Sequence, residues 1–288
     1  MKRILKLHIF LLGIICLSSC ENYFGDKTDI GFIDVPIADS RQVAYVPIQP
    51  ALNDFTKPVD ICIGFDGLIY VVDEGSEEVV AMDESGRILG RVRVQGARSV
   101  TQDRRFDLLV IGSFDTLIAN ISRSFSAVYR LRMINGNGYN IENAQVIRKI
   151  VHPFYQKSTF SSTDEMVTFN RIGIIANNSD ITRNNQWYVS RQGPSTSSLN
   201  PDDAIVWFGN DDERISNISV NTSSGLFRDY FDSPFGLSTL SQPPQFTAIT
   251  SNDFLFTSLD ENNSLKVQYI EFLETEFGAE FRPRILAS

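Results

Sequence analysis

Beyond residue 20 the chain has one histidine, His152, and one cysteine, Cys62. A zinc site draws on several such residues, and a serine nucleophile needs a histidine set by a carboxylate. His152 stands beside Pro153 in a loop-like segment with no Gly-x-Ser-x-Gly stretch near it. It reads as a loop residue rather than a general base. Cys62 lies between Ile61 and Ile63 in an apolar, strand-sized run, where a thiol stays protonated and inert. Carboxylates are plentiful. Asp202-Asp203 and Asp211-Asp212-Glu213 flank a strand and have the oxygens to gather calcium, but the spaced ligands and central glycine of an EF-hand loop are absent. They read as turn residues solvating a strand end. No phosphate loop or dinucleotide fingerprint occurs. The expectation is no catalytic residue, no metal ligand and no cofactor.

Recognition is better provided for. Segments 152–166 (HPFYQKSTFSSTDEM) and 225–244 (GLFRDYFDSPFGLSTLSQPP) are long, polar and aromatic, and are expected to project as loops. Their rings either offer contact area to a partner or fold back over sheet edges. Trp187-Tyr188 and Trp207-Phe208 sit within strands and read as packing between sheets rather than as a sugar platform.

The elements that must hold these residues are strands. From Asp60 the chain reads DICIGF, an Asp66-Gly67 turn, LIYVVD, a turn, EVVAMD, a turn, and RILGRVRV. Asp-Gly between apolar runs is a hairpin signal, and five unbroken apolar residues suit a strand covered on both faces. Four antiparallel strands with short turns form a meander, the unit of a propeller blade; one such sheet cannot cover both of its own faces, so copies must stack. Degenerate copies follow. FDLLVIGSFDT pairs with SAVYRLRMI. A third unit runs from IGIIANNSDITRNNQWYVSRQG to DAIVWFGNDDERISNISV, with an insertion over 193–203. A fourth is PPQFTAITSNDFLFTSLDENNSLKVQYIEF, whose second strand ends at Asp260. Strand-like runs DIGFID and QVAYVPI precede the first unit, and FRPRILAS follows the last. The expected fold is all-β, a β-propeller of four-stranded antiparallel blades. About four to six blades are expected, either closed by diverged copies or left open by truncation at the C-terminus.

Within the first unit, Pro58-Val59-Asp60, Asp66-Gly67, Ile69-Tyr70-Val71-Val72-Asp73, Val79-Val80 and Asp83 to Gly86 resemble an NHL repeat. This resemblance covers about 30 residues and implies a propeller blade. Where the family has Asn-Asn-Arg before the third strand, this chain has Ser76-Glu77-Glu78, so a ligand contact through that arginine is not carried over.

The start of the chain has Lys2, Arg3 and Lys6, then an apolar run from Ile9 to Leu17, too short to span a bilayer, then Ser18-Ser19-Cys20. Leu17-Ser18-Ser19-Cys20 resembles the lipobox of bacterial lipoproteins, and the whole resembles an envelope lipoprotein of the Bacteroidota type. The resemblance implies a signal over 1–19, lipid on Cys20, a tether over 20–38 and the propeller over 39–288. An ordinary secretory signal is the plainer alternative. Loss of three basic residues would make the chain more acidic than its formal −9, which disfavours nucleic acid and anionic headgroups. With Cys62 left alone, no intramolecular disulfide is possible and stability must come from a core. The functional expectation is a lipid-anchored envelope protein, in the outer membrane of a Gram-negative cell, binding or scaffolding an envelope protein or glycan without catalysis. The alternatives are a glycan hydrolase or lyase with two carboxylates on the propeller axis, and a truncated, inactive fragment.

Overall fold

The computed structural model describes residues 51–151, 165–175, 185–192, 204–219, 236–239, 254–259, 265–275 and 278–287. All but residue 51 belong to one compact unit, Leu52–Ser288. Cys20, the boundary at residue 38, His152, Asp202-Asp203 and the runs DIGFID and QVAYVPI lie outside the described residues.

Among the described residues, four four-stranded antiparallel sheets follow one another along the chain. The first holds β1 (Pro58–Ile63), β2 (Ile69–Asp73), β3 (Glu78–Met82) and β4 (Ile88–Arg93), the meander expected from the sequence. The second holds β5 (Ser99–Gln102), β6 (Leu108–Ile118), β7 (Ile121–Arg132) and, beyond a small hairpin of β8 (Ile134–Asn135) and β9 (Gly138–Tyr139), β10 (Gln145–Val151). The third holds β11 (Thr168–Ile174), β12 (Trp187–Gln192), β13 (Ala204–Phe208) and β14 (Arg214–Ser219). The fourth holds β15 (Gly236–Thr239), β16 (Phe254–Leu259), β17 (Leu265–Thr275) and β18 (Gly278–Ala287).

The sheets are the blades of a β-propeller. Their first strands pack in succession, β1 on β5, β5 on β11 and β11 on β15. Arg171 on β11 ties three of these edges together. Its Nη2 donates to the Val59 carbonyl at 3.2 Å, Nη1 to those of Arg98 and Asn170, and its Nε lies 3.9 Å from Asp60 Oδ1. Asp60 Oδ2 in turn accepts from Ser99 Oγ (2.6 Å) and Val100 N (3.0 Å).

The apolar runs are continuous because both faces of the middle strands are covered. On β6, Leu108 and Val110 pack with Tyr70, Val72, Val79 and Ala81 of the first blade. Leu109 and Ile111 face the other way, against Phe169, Ile172, Trp187 and Val206 of the third. Each such side chain contributes roughly 1.5–3 kcal/mol through burial. No single blade could provide this cover.

Three expectations are corrected. The first strand of the fourth sheet is β15, inside the segment expected to project as a loop; QFTAIT lies outside the described residues. FRPRILAS lies largely within β18, which completes that sheet rather than trailing from it; Pro283 in it reads as a breaker, but an edge strand tolerates a missing donor. The β6–β7 hairpin continues to Ile118↔Ile121, beyond the ends of the two runs FDLLVIGSFDT and SAVYRLRMI.

Candidate functional site

One turn recurs at matching strand ends. In Gly64–Leu68, Asp83–Arg87, Asp103–Asp107 and Gly209–Glu213 the first N–H donates to the fifth carbonyl and the fourth N–H to the first carbonyl. The fourth position is left-handed each time: Gly67 (φ 79°), Gly86 (φ 84°), Phe106 (φ 64°) and Asp212 (φ 64°). Glycine adopts this conformation freely, whereas Phe and Asp occupy it at a cost. Asp212 lines a cleft, and Phe106 stands between Arg105 and Asp107, which line it too.

That cleft, about 660 Å³, opens between the second and third blades and is lined by Arg105, Asp107, Arg132, Ile134, Arg148 and Asn210, among others. Its floor is an ion-pair network. Arg130 on β7 is buried, with Nη1 2.6 Å from Asp103 Oδ2, Nε 2.8 Å from Asp212 Oδ2 and Nη2 2.5 Å from Asp212 Oδ1. Trp187 Nε1 also donates to Asp212, at 3.1 Å. Burial works against the guanidinium charge of Arg130, but hydrogen bonding to Asp212 and the charges of Asp103 and Asp212 outweigh it and raise its pKa. Arg148, directly across from Arg130 in the ladder, is held by Glu213 and the Asp211 carbonyl. Burial, and then the Asp103 charge, push the Asp107 carboxyl above its ordinary value. Arg105 reaches the Asn210 carbonyl at 3.1 Å and Arg104 the Ile175 carbonyl at 3.0 Å, so the Asp103–Asp107 turn clamps one blade to the next.

The same Asp103–Asp107 turn carries one ring of an aromatic pair that joins a second polar cluster. Phe106 (37% exposed) meets Tyr139 (39% exposed) edge-on, with ring centroids 6.2 Å apart. The Tyr139 hydroxyl donates to Asp66 Oδ2, which also accepts from Tyr70 OH (2.5 Å) and Gln102 Nε2 (3.0 Å). Burial opposes ionisation of Asp66, but the hydrogen bonds from Tyr139, Tyr70 and Gln102 together hold its carboxyl below the ordinary value. Burial, and then Asp66, raise both phenols, so they stay donors at neutral pH. Gly64 permits this crowding: a Cβ there would lie 2.4 to 2.7 Å from Asp66, Gln102 and Tyr70. The arrangement is a rigid, mutually satisfied surface with two rings in solvent.

Asp211, Asp212 and Glu213 do more than solvate a strand end, because Asp212 turns inward to Arg130 on another blade. Cys62 is half-buried on β1, and burial raises its thiol, as expected for an inert residue. Trp187 and Phe208 stack at 4.0 Å inside the core between the second and third blades, and Tyr188 with Trp207 on the opposite face, in keeping with packing roles. Among the described residues no group of three or more His, Cys, Asp or Glu could hold a metal ion. Asp103, Arg130, Phe106 and Tyr139 were not legible as a site. One signal was present: Asp103-Arg104-Arg105-Phe106 repeats Asp83-Glu84-Ser85-Gly86 with phenylalanine in the glycine position.

No family model and no curated protein matches the chain. Among solved structures it is similar to a catalytically inactive variant of virginiamycin B lyase from Staphylococcus aureus, crystallised with quinupristin (TM-score 0.43, 13% identity, 83% of this chain and 58% of that one). It is also similar to a protein of unknown function from Bacteroides caccae (TM-score 0.38, 9% identity, 82% of this chain and 63% of that one). A streptogramin B lyase gives a TM-score of 0.36 at 10% identity, over 79% of this chain and 68% of that one. The chain thus spans less than two thirds of the first two.

Proposed function

We propose that this chain is a lipid-anchored β-propeller of the cell envelope that binds a partner and is not itself catalytic. Acyl chains on Cys20 hold it to the outer membrane of a Gram-negative cell, and the cleft face receives an envelope protein or a glycan. Phe106 carries the binding half of this reading. A bulky residue at positive φ stores about 1–2 kcal/mol, and strain of this kind gathers at sites where it serves recognition. Here it fixes an exposed aromatic ring beside Tyr139, on the turn whose Arg105 and Asp107 line an open cleft. The hydrolase or lyase alternative needs two carboxylates at the axis. Among the described first strands Asp60 is the one carboxylate, and Ser99 and Arg171 engage it.

The test is recovery of partners from detergent-solubilised envelope on immobilised protein, comparing wild type with Phe106→Gly. That substitution deletes the ring and relieves the backbone together. Loss of a specific partner without loss of stability supports the reading; equal recovery by both proteins overturns it. Palmitate incorporation that disappears in Cys20→Ala tests the anchor separately.

A further inference from the structure

We propose that the β6–β7 hairpin tip is a membrane-inserting wedge that orients the propeller with its cleft facing away from the bilayer; this rests on the anchored reading above. The β5 ladder ends at Ile111, one further backbone bond runs from Ser113 N to the Gln95 carbonyl (2.7 Å), and β10 pairs as far as Ala127; beyond these, among the described residues, the two strands pair with each other alone. The base of this ribbon is steadied by Gln95 Nε2 to Asp115 Oδ2 (2.8 Å), Arg123 Nη1 to Glu165 Oε2 (2.7 Å) and Lys149 over the Phe114 ring (3.8 Å). From Gly112 to Ile118 an extended strand reaches roughly 20 Å.

Between Asp115 and Arg123 no residue is charged. Leu117 is 65% exposed and Ile121 55%, although each could have been a polar turn residue. The turn itself is tight, with Ala119 at φ 51° and Asn120 at φ 62°. Turns of this type favour Asn, Asp or Gly first, so alanine keeps the tip apolar against its backbone preference.

The form of this surface selects the occupant. Pairing puts Ile121 on the face of Ile118, and Leu117 on the opposite face with Ser122. A flat protein partner would cover one face only. Two side chains also fall far short of the roughly 800 Å² per partner that a stable protein interface needs. A bilayer surrounds a wedge on every side and asks little of it, because the tether already supplies the local concentration. The acidic chain (−9) gives no help from anionic headgroups, so the contact is apolar. The Asp103–Asp107 turn and the hairpin tip stand at opposite ends of β6, roughly 35 Å apart along an eleven-residue strand, so a buried tip points Phe106 outward.

The experiment uses the chain from Cys20 with Cys62→Ala, coupled through the Cys20 thiol to a maleimide lipid in phosphatidylcholine vesicles. The tether is then present whatever the cell attaches. Ile121→Trp places a reporter at the tip, against the buried Trp187 and half-buried Trp207. The expected result is a blue-shifted extra emission, quenched by brominated phosphatidylcholine, with at least half of the quenching lost on adding Leu117→Asp and none gained with anionic lipid. Emission as water-like on vesicles as in solution would overturn the wedge. So would a blue shift that needs protein concentration and no vesicles, which would mean self-association. Absence of acyl groups on Cys20 from native envelope would sink the anchor alone.

Discussion

Phe106 offers the sharpest measurement, because two small replacements separate ring from backbone. Phe106→Ala and Phe106→Gly both lose the edge contact with Tyr139, worth about 0.5–1.5 kcal/mol, and the same partly covered ring area. Only alanine keeps a Cβ at φ 64°, where it costs about 1–2 kcal/mol. Glycine gives back about 0.4–1 kcal/mol through the freedom of its unfolded chain. The glycine variant should therefore be more stable than the alanine variant by about 0.5–1 kcal/mol. At an ordinary position the order is reversed, and Arg105, next in the chain and not left-handed, is the control: Arg105→Gly should fall below Arg105→Ala. Urea midpoints at constant slope provide the readout. If the alanine variant at 106 equals or exceeds the glycine variant, the left-handed turn is wrong, and with it the inference that strain is spent on exposing the ring.

Asp212→Ala should cost about 3–5 kcal/mol in urea unfolding, because it leaves Arg130 buried without its bidentate partner; a loss under about 1 kcal/mol would contradict the network. Asp107 and Asp66 should show opposite pH dependence in thermal unfolding. The raised pKa of Asp107 means its ionised form costs stability, so Asp107→Asn should exceed wild type at pH 7 and converge with it below the unfolded value of about 3.9. The lowered pKa of Asp66 stabilises the fold above about pH 3.9, so Asp66→Asn should be the weaker protein at pH 7, its deficit shrinking as acid protonates the carboxylate. Cys62 should react with a thiol reagent far more slowly in the native protein than in urea; equal rates would contradict its burial.

Local patterns carried the first blade almost whole. Asp66-Gly67, the unbroken IYVV and the short polar turns mark strand ends to within a residue or two, because period, turn chemistry and two-sided burial all act over a few residues. The same logic ran short at β5, whose four residues SVTQ owe their strand to β6 and to the Asp60–Ser99 bond across blades. It ran short again at β15, whose partner β16 lies beyond residues 240–253, and at β18, where Pro283 looks like a breaker.

Composition, turn residues and apolar runs were enough to establish stacked antiparallel meanders. The cleft was decided by tertiary structure alone. Arg130 and Asp212 are 82 residues apart and meet only because two blades pack face to face; Phe106 becomes informative only once its φ is known. Strand patterns are local energetics, readable one residue after another. A site between blades depends on which distant side chains exclude the same water, and no short stretch of sequence records that.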